Sequence, residues 1–248
     1  MLFFLILFFV ALWAGAQNAL AGGGSFLTLP ALIAAGMDAR AANITSTIAL
    51  FPAQIVTGYT GRRGAEGLAD LSLKSLFAIS LVGGGLGGAI LLATPASIFE
   101  KLVPWLVLFA TAIFAWGSFV RRPADDQARR MPYWASASTQ FLIAVYGGYF
   151  GGGIGFLMMA ALTAAGQNVR IAGATKNILA GVVNAAAVAI FAFSPAAHWP
   201  QAFVTAIGAS LGGFGGALML QRVNEKALRI FVVAIGLALT VGLFLRSP

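Results

Sequence analysis

The sequence predicts an all-α polytopic membrane protein of two inverted repeats, each a re-entrant or broken hairpin plus three transmembrane helices. An apolar composition, an internal duplication and a lopsided distribution of positive charge predict it. Of the 248 residues, 60% are hydrophobic and 9% charged, against about 25% charged in a soluble domain. One soluble core of this size cannot hide so much apolar surface, so a lipid bilayer must solvate part of it. The net charge of +8 would suggest nucleic acid in a soluble chain. Here the bases cluster in short stretches between apolar runs, as they do in cytoplasmic loops of membrane proteins, and no nucleic-acid partner is expected. Without cysteine there is no disulfide, thiolate nucleophile or Cys-ligated metal.

The duplication is read by sliding the chain 130 residues along itself. Residues 22–47 then align with 152–177 without a gap, and twelve of these 26 positions are identical. Gly22/Gly152, Gly23/Gly153, Phe26/Phe156, Gly36/Gly166, Arg40/Arg170 and Thr45/Thr175 are among them. Residues 84–89 match 212–217, and Glu100-Lys101 matches Glu225-Lys226, so the offset falls from 130 to 128 to 125 as loops lose residues.

Each half reads in the same order: an apolar run, a glycine break, a short apolar run, then three long runs. The first half places them at residues 2–20, 26–37, 41–59, 71–92 and 102–120. The second places them at 137–150, 156–165, 171–193, 202–220 and 227–245. The first run resembles a signal-peptide core over residues 2–12, with Ala14-Gly15-Ala16 as a cleavage site. No Lys or Arg precedes it, and it leads into a repeat unit, so it is read as retained. A crossing takes about 20 helical residues. Runs 26–37 and 156–165 are too short, and each is expected to be one arm of a hairpin turning at residues 21–25 or 151–155.

Positive charge tests the topology. If each hairpin returns to the side it came from, the halves are inverted. Arg62, Arg63, Lys74, Arg121, Arg122, Arg129, Arg130, Arg170, Arg222, Lys226 and Arg229 then share one side, and only Arg40, Lys101 and Arg246 lie on the other. Parallel halves would split the same charges 8 to 6. The inverted arrangement is therefore expected. Residues 1–120 form the first repeat, 121–136 a cytoplasmic linker and 137–248 the second repeat.

Non-helical backbone at membrane depth must be buried in protein or line a water-filled cavity. Interrupted segments at matching positions of two halves are the best pointer to a transporter's substrate site. Helices that start after the turns offer free N–H groups and a positive dipole end, which suit an anion. The expected substrate-binding residues are Asn18, Gly22, Gly23, Gly24 and Ser25 at the first turn, and Gly152 and Gly153 at the second. Asn43, Thr45 and Ser46 join them from the following span, with Thr175, Lys176 and Asn177 from its repeat, and Asn184 lies two turns on. Lys74 and Arg229 lie in the first turn of their expected spans, and Lys176 is the base set deepest in one; a buried ammonium marks a pathway or a bound anion, unless its stem snorkels to the headgroups. Gly84 to Gly88 and Gly212 to Gly216 lie within full spans, where small residues let helices pack closely.

All seven acidic residues fall in loops or at span ends, which leaves no carboxylate for a mid-membrane proton relay or a sodium site. His198, the one histidine, sits in a loop. No nucleotide-binding loop, metal-ligand cluster or nucleophile with a base is present, so neither enzyme nor cofactor is expected. A small anionic substrate and the bilayer are the expected partners, and a homo-oligomer is left open.

The segment from Ala21 to Leu32, followed by Gly36 and Asn43-Ile44-Thr45-Ser46, resembles the TauE/SafE sulfite-exporter family. That family's first repeat carries a glycine triplet, a Pro-x-Leu and a Thr-Ser pair. The second repeat looks similar, from Tyr146 to Gly155 and then Thr175-Lys176-Asn177. Ala160 departs from it where Pro30 predicts a second proline. The resemblance implies a multi-pass transporter of the cell (inner) membrane that exports small sulfur-containing anions, sulfite or organosulfonates. The residues themselves imply a duplicated transporter with an anion-suited site; alternating access is the expected mechanism, and sulfur rests on the resemblance. A passive anion channel and a transporter of another small anion remain alternatives.

Overall fold

Ten α-helices carry the chain in the computed structural model, which describes residues 2–20, 23–119, 131–219 and 225–246. They are α1 (Leu2–Leu20), α2 (Ser25–Ala34), α3 (Ala39–Gly61), α4 (Leu73–Ala93), α5 (Ala96–Phe119), α6 (Tyr133–Tyr149), α7 (Ile154–Ala164), α8 (Val169–Phe191), α9 (Trp199–Met219) and α10 (Glu225–Arg246). A 3-10 turn, Arg62–Gly64, follows α3. No strand occurs among the described residues; one isolated bridge joins Leu68 to Leu71. α6 starts at Tyr133, inside the stretch read as linker, because Pro132 takes the extended cap conformation before it. The bases at 121, 122, 129, 130 and 222 lie outside the described residues.

At 1.5 Å per residue, α2 and α7 are only about 15 and 16 Å long, half a bilayer core. Both end in the same way. Gly36 takes φ +90 and Gly166 φ +99, the left-handed conformation that costs glycine least. The Met37 and Gln167 amides then reach back to Leu32 O and Leu162 O, and those of Gly36 and Gly166 to Ile33 O and Thr163 O. This is a Schellman cap, which satisfies last-turn carbonyls. The next helices start alike too: the Asp38 side chain accepts from Ala41 N–H and that of Asn168 from Ile171 N–H, each at 2.9 Å.

Three helices among the described residues are long and apolar enough to cross a membrane: Leu73–Ala93, Ala96–Trp116 and Val169–Phe191. Large apolar side chains such as Phe77, Trp105, Phe203 and Phe214 point outward. In water such a surface would aggregate; a bilayer solvates it.

Inside, glycine sets the packing. A Cβ on Gly87 would run into the backbone of Val145 and Tyr149, and one on Gly212 into that of Leu12. Backbones in such close contact gain dispersion energy that lipid tails cannot match. The register of these contacts gives relative directions. Phe8 meets Gly208 and Leu12 meets Gly212, so α1 and α9 are parallel. Phe141 meets Gly83 and Val145 meets Gly87, so α4 and α6 are parallel as well. Gly58 instead meets Asn177, and Gln54 meets Gly181, so α3 and α8 cross antiparallel.

The halves are also latched by polar bonds at opposite ends. Thr45 Oγ1 accepts from the His198 N–H at 3.2 Å, fastening the loop before α9. Thr175 Oγ1 accepts from the Glu66 N–H and donates to the Glu66 carbonyl, both at 3.1 Å, fastening the loop before α4. Arg40 Nη1 donates to Leu92 O and Thr94 O at the end of α4.

The packing is testable with a pair of neighbours. Gly87→Ala should lower stability by about 1–3 kcal/mol, the cost of overpacking a filled site. Gly85→Ala, where a Cβ meets nothing within 4 Å, should be neutral or gain about 0.5–1 kcal/mol from helix propensity. Thermal unfolding of the two purified variants measures the difference, and equal midpoints would refute the close-packing account.

Candidate functional site

The two glycine turns are built by their own backbone. Gly23 has φ +82 and Gly153 φ +76, where an L side chain costs roughly 1–2 kcal/mol. Space is short too: a Cβ on Gly153 would lie 2.9 Å from that of Ala110, and one on Gly23 3.0 Å from the Phe26 ring. Side chains from the preceding helices tie the turns down. Gln17 Nε2 donates to Gly23 O at 3.3 Å, and Tyr146 Oη donates to Gly152 O at 2.8 Å. Gly24 N–H donates to Asn18 Oδ1 at 3.4 Å.

α2 and α7 start from these turns with glycine caps, Gly24 and Gly153, that supply no side-chain hydrogen bond. The Phe26, Leu27 and Phe156 N–H groups close on Gly23 O, Gly24 O and Gly153 O, and the amides before them in each first turn are ones an α-helix cannot satisfy internally. Around the turns lies a polar cavity of about 40 Å³, room for roughly three waters. Asn18, Gly23 and Ser25 line it from the first hairpin, and Gly151, Gly153, Ile154 and Gly155 from the second. α3 contributes Gln54 and Thr57, and α8 contributes Lys176, Asn177 and Ala180. The antiparallel crossing puts the second half of α3 beside the first half of α8, at the end where Arg62, Arg63 and Arg170 also lie.

Lys176 is the strongest charge in this lining. Its stem runs over Gly155: a Cβ there would stand 3.6 Å from Lys176 Cδ and 3.8 Å from Nζ. The ammonium therefore sits on the first turn of α7, beside that helix's positive end. Among the described residues no carboxylate lines the cavity. Two positive features side by side, without an internal counter-charge, make a site for an anion. At 4 Å and an effective dielectric of 20, an anion gains about 4 kcal/mol from a full charge before desolvation, and a helix end at most ~2 kcal/mol. Lys176 outweighs the turns.

Of the residues singled out in the sequence, Asn18, Gly23, Ser25, Gly153, Lys176 and Asn177 line the cavity. Gly24 and Gly152 lie in the turns themselves. Thr45 and Thr175 hold the loops described above. Ser46 Oγ is bonded to Thr28 Oγ1 at 2.6 Å, and Asn43 Nδ2 donates to Tyr149 O at 3.2 Å. Gly22 lies outside the described residues.

Gln54 and Thr57 are additions made by the structure, while Gly151 and Gly155 belong to the second turn itself. Gln54 accepts from Asn184 Nδ2 at 2.6 Å. The two residues are 130 apart, the offset of the repeat, so they are counterparts that meet each other. Carrying the alignment seven residues past Thr47 and Asn177 would have paired them. A separate apolar groove of about 340 Å³, between α3, α4 and α8, shares Gln54 and Asn177 with the cavity.

Comparison with known proteins agrees over almost the whole chain. The family model "Sulfite exporter TauE/SafE" matches residues 7–243. The probable membrane transporter protein YfcA of Escherichia coli K12 is 29% identical over 247 residues, covering 98% of this chain and 90% of that relative. A probable membrane transporter protein of Haemophilus influenzae is 30% identical over 240 residues, covering 95% and 92%. The probable membrane transporter protein ORF9 of a Sinorhizobium species is 29% identical over 243 residues, covering 96% and 90%. No solved structure matches the chain.

Lys176→Met keeps the stem and removes the charge. It should weaken anion binding to the purified protein by at least about tenfold, or ~1.4 kcal/mol, without reducing membrane insertion. Lys176→Arg should retain part of the affinity, because the planar guanidinium is larger. Wild-type affinity in the Met variant would leave Lys176 a snorkelling residue only.

Proposed function

Since the chain belongs to the TauE/SafE sulfite exporter family, and is therefore a membrane transporter and not an enzyme, we propose that it exports small sulfur-containing anions, sulfite or an organosulfonate, by alternating access across the cell (inner) membrane. The observation that carries this reading is the Lys176 ammonium over the uncapped start of α7, in a cavity lined by both glycine turns and, among the described residues, by no carboxylate. The room for roughly three waters suits a small oxyanion or a short sulfonate. Such an ion pays heavily to leave water unless donors and charge replace its shell. Lys176, helix amides and the amide groups of Asn18, Gln54 and Asn177 supply both.

In this reading residues 1–120 and 137–248 are inverted repeats about a linker at 121–136, and the chain crosses the membrane several times. The antiparallel contact of α3 with its counterpart α8 supports inversion, since repeats of the same orientation would bring these two helices together in parallel. The positive-inside rule assigns the end carrying Arg62, Arg63 and Arg170 to the cytoplasm, so the cavity approaches that side. The repeat-related positions toward the opposite side are shut: Ser46 is bonded to Thr28, and Leu50 and Ala187 are buried. Opening one side and closing the other, by exchange of conformation between repeats, is the expected cycle.

Proteoliposomes loaded with sulfite and diluted into sulfite or sulfonate should show saturable exchange and trans-stimulation. Non-saturating flux without trans-stimulation would make the protein a channel instead. Topology is checked separately, because the chain has no native cysteine. An impermeant thiol reagent on intact cells should label Pro195→Cys and spare Asp125→Cys. External labelling of Asp125→Cys would refute the proposed orientation.

A further inference from the structure

A second, chemically opposite feature lies against the same cavity. Gly151, one of its lining residues, has no side chain, and the nearest groups around the place a Cβ would occupy are all oxygens. Gly147 O is 3.5 Å from that point, Thr47 Oγ1 3.7 Å and Asn184 Oδ1 4.0 Å. They come from three different helices, α6, α3 and α8. Gly147 O and Asn184 Oδ1 can only accept, and such a convergence is unfavourable unless a donor or a cation sits among them.

Each oxygen is available. Asn184 is buried, its Nδ2 is engaged by Gln54, and its Oδ1 has no hydrogen-bond partner. Thr47 Oγ1 donates to Asn43 O at 2.9 Å, which leaves its lone pairs free. Gly147 lies in the last turn of α6, where carbonyls lack intrahelical donors. There the Phe150 N–H closes on Tyr146 O and Asn43 Nδ2 covers Tyr149 O. The C-terminal end of a helix also favours positive charge.

We propose that Na⁺ binds beside Gly151, held by Gly147 O, Thr47 Oγ1 and Asn184 Oδ1. The oxygens are neutral, which fits a monovalent ion; Ca²⁺ and Mg²⁺ sites use carboxylates. Remaining positions are filled by water or by the transported anion. Half-helix C-terminal ends and unwound carbonyls are physically suited to such an ion, as helix N-termini are to an anion. The coupling of the two sites rests on the anion reading above; binding of the cation does not. Because Gly151 borders both, each ion raises the other's affinity by the same factor.

The test uses the purified full chain and compares its unfolding midpoint in sodium, potassium and choline gluconate at equal ionic strength. Gluconate avoids loading the anion site with chloride. Sodium should raise the midpoint saturably and the other two should not. Thr47→Val should reduce the sodium affinity at least about tenfold. Asn184→Asp should strengthen it, since it keeps the oxygen and adds a charge. If the Asn184 amide were turned to donate to Gly147 O, Asn184→Asp would destabilise the protein with no rescue by sodium, and the proposal would fail. Equal midpoints in all three salts, or a sodium shift untouched by Thr47→Val, would also overturn it. Lys176→Met should keep the sodium shift while losing sulfite binding, which separates failure of this proposal from failure of the anion site.

Discussion

The constraint on which the rest depends is that the backbone leaves the helical state at two glycine turns packed among apolar helices. Each break frees N–H and C=O groups that lipid cannot satisfy. The chain meets this need with a few specific bonds. Gln17 and Tyr146 take the turn carbonyls of Gly23 and Gly152, and Asn43 takes Tyr149 O at the end of α6. What these bonds leave over is unequal in sign. N–H groups remain at the starts of α2 and α7, and carbonyls remain at the end of α6. The second break thus presents a positive end and a negative end a few residues apart. The cavity, the place of Lys176 and the oxygens around Gly151 all follow from it.

The duplication sets the frame, and the differences between copies give the frame its chemistry. Backbone features repeat closely: the left-handed glycines, the Schellman caps, the Asp38 and Asn168 caps. Ala160 stands where Pro30 leads one to expect proline, and α7 keeps the C-terminal cap geometry of α2 without it. The side chains at the heart of the site do not repeat. Ser46 and Thr28 form a hydrogen bond in the first half; their counterparts are Lys176 and Met158, which cannot. Relieved of a local partner, the longer side chain lies over Gly155 and reaches the cavity.

Much of this was legible in the sequence, for physical reasons that also mark its limit. Periodic breaks in hydrophobicity are strong signals, so the short arms at 26–37 and 156–165 correspond closely to α2 and α7. Polar residues in spans are signals of a need and not of its kind. Thr45 and Thr175 stand at matched positions beside the turns and look like ligands for a substrate. In the fold they secure loops that are 153 and 109 residues away in the chain. No local pattern carries that information. Gln54 illustrates the converse. It reads as a lone amide in an apolar run, and only the crossing of α3 and α8 shows that it meets its own counterpart. The start of α6 at Tyr133 was hidden because a polar, proline-containing stretch resembles linker until a helix packs on it.

The contact between Gln54 and Asn184 differs in kind from the others when alternating access is considered. Exchanging the conformations of two repeats maps each contact onto the contact between its counterparts. A bond between counterparts maps onto itself, so the Gln54–Asn184 pair can persist through the transition and act as a pivot. The Thr28–Ser46 bond maps onto Met158 and Lys176. Closing the cytoplasmic side by that route would press an ammonium against a thioether, and burial of an unpaired charge is costly. Breaking Thr28–Ser46 costs only about 1 kcal/mol net, so the larger barrier lies in closing around Lys176. A bound anion removes that penalty by pairing the charge. Under the proposed cycle, the asymmetry at one repeat position therefore ties closure to the presence of substrate, because the empty carrier would have to bury Lys176 alone.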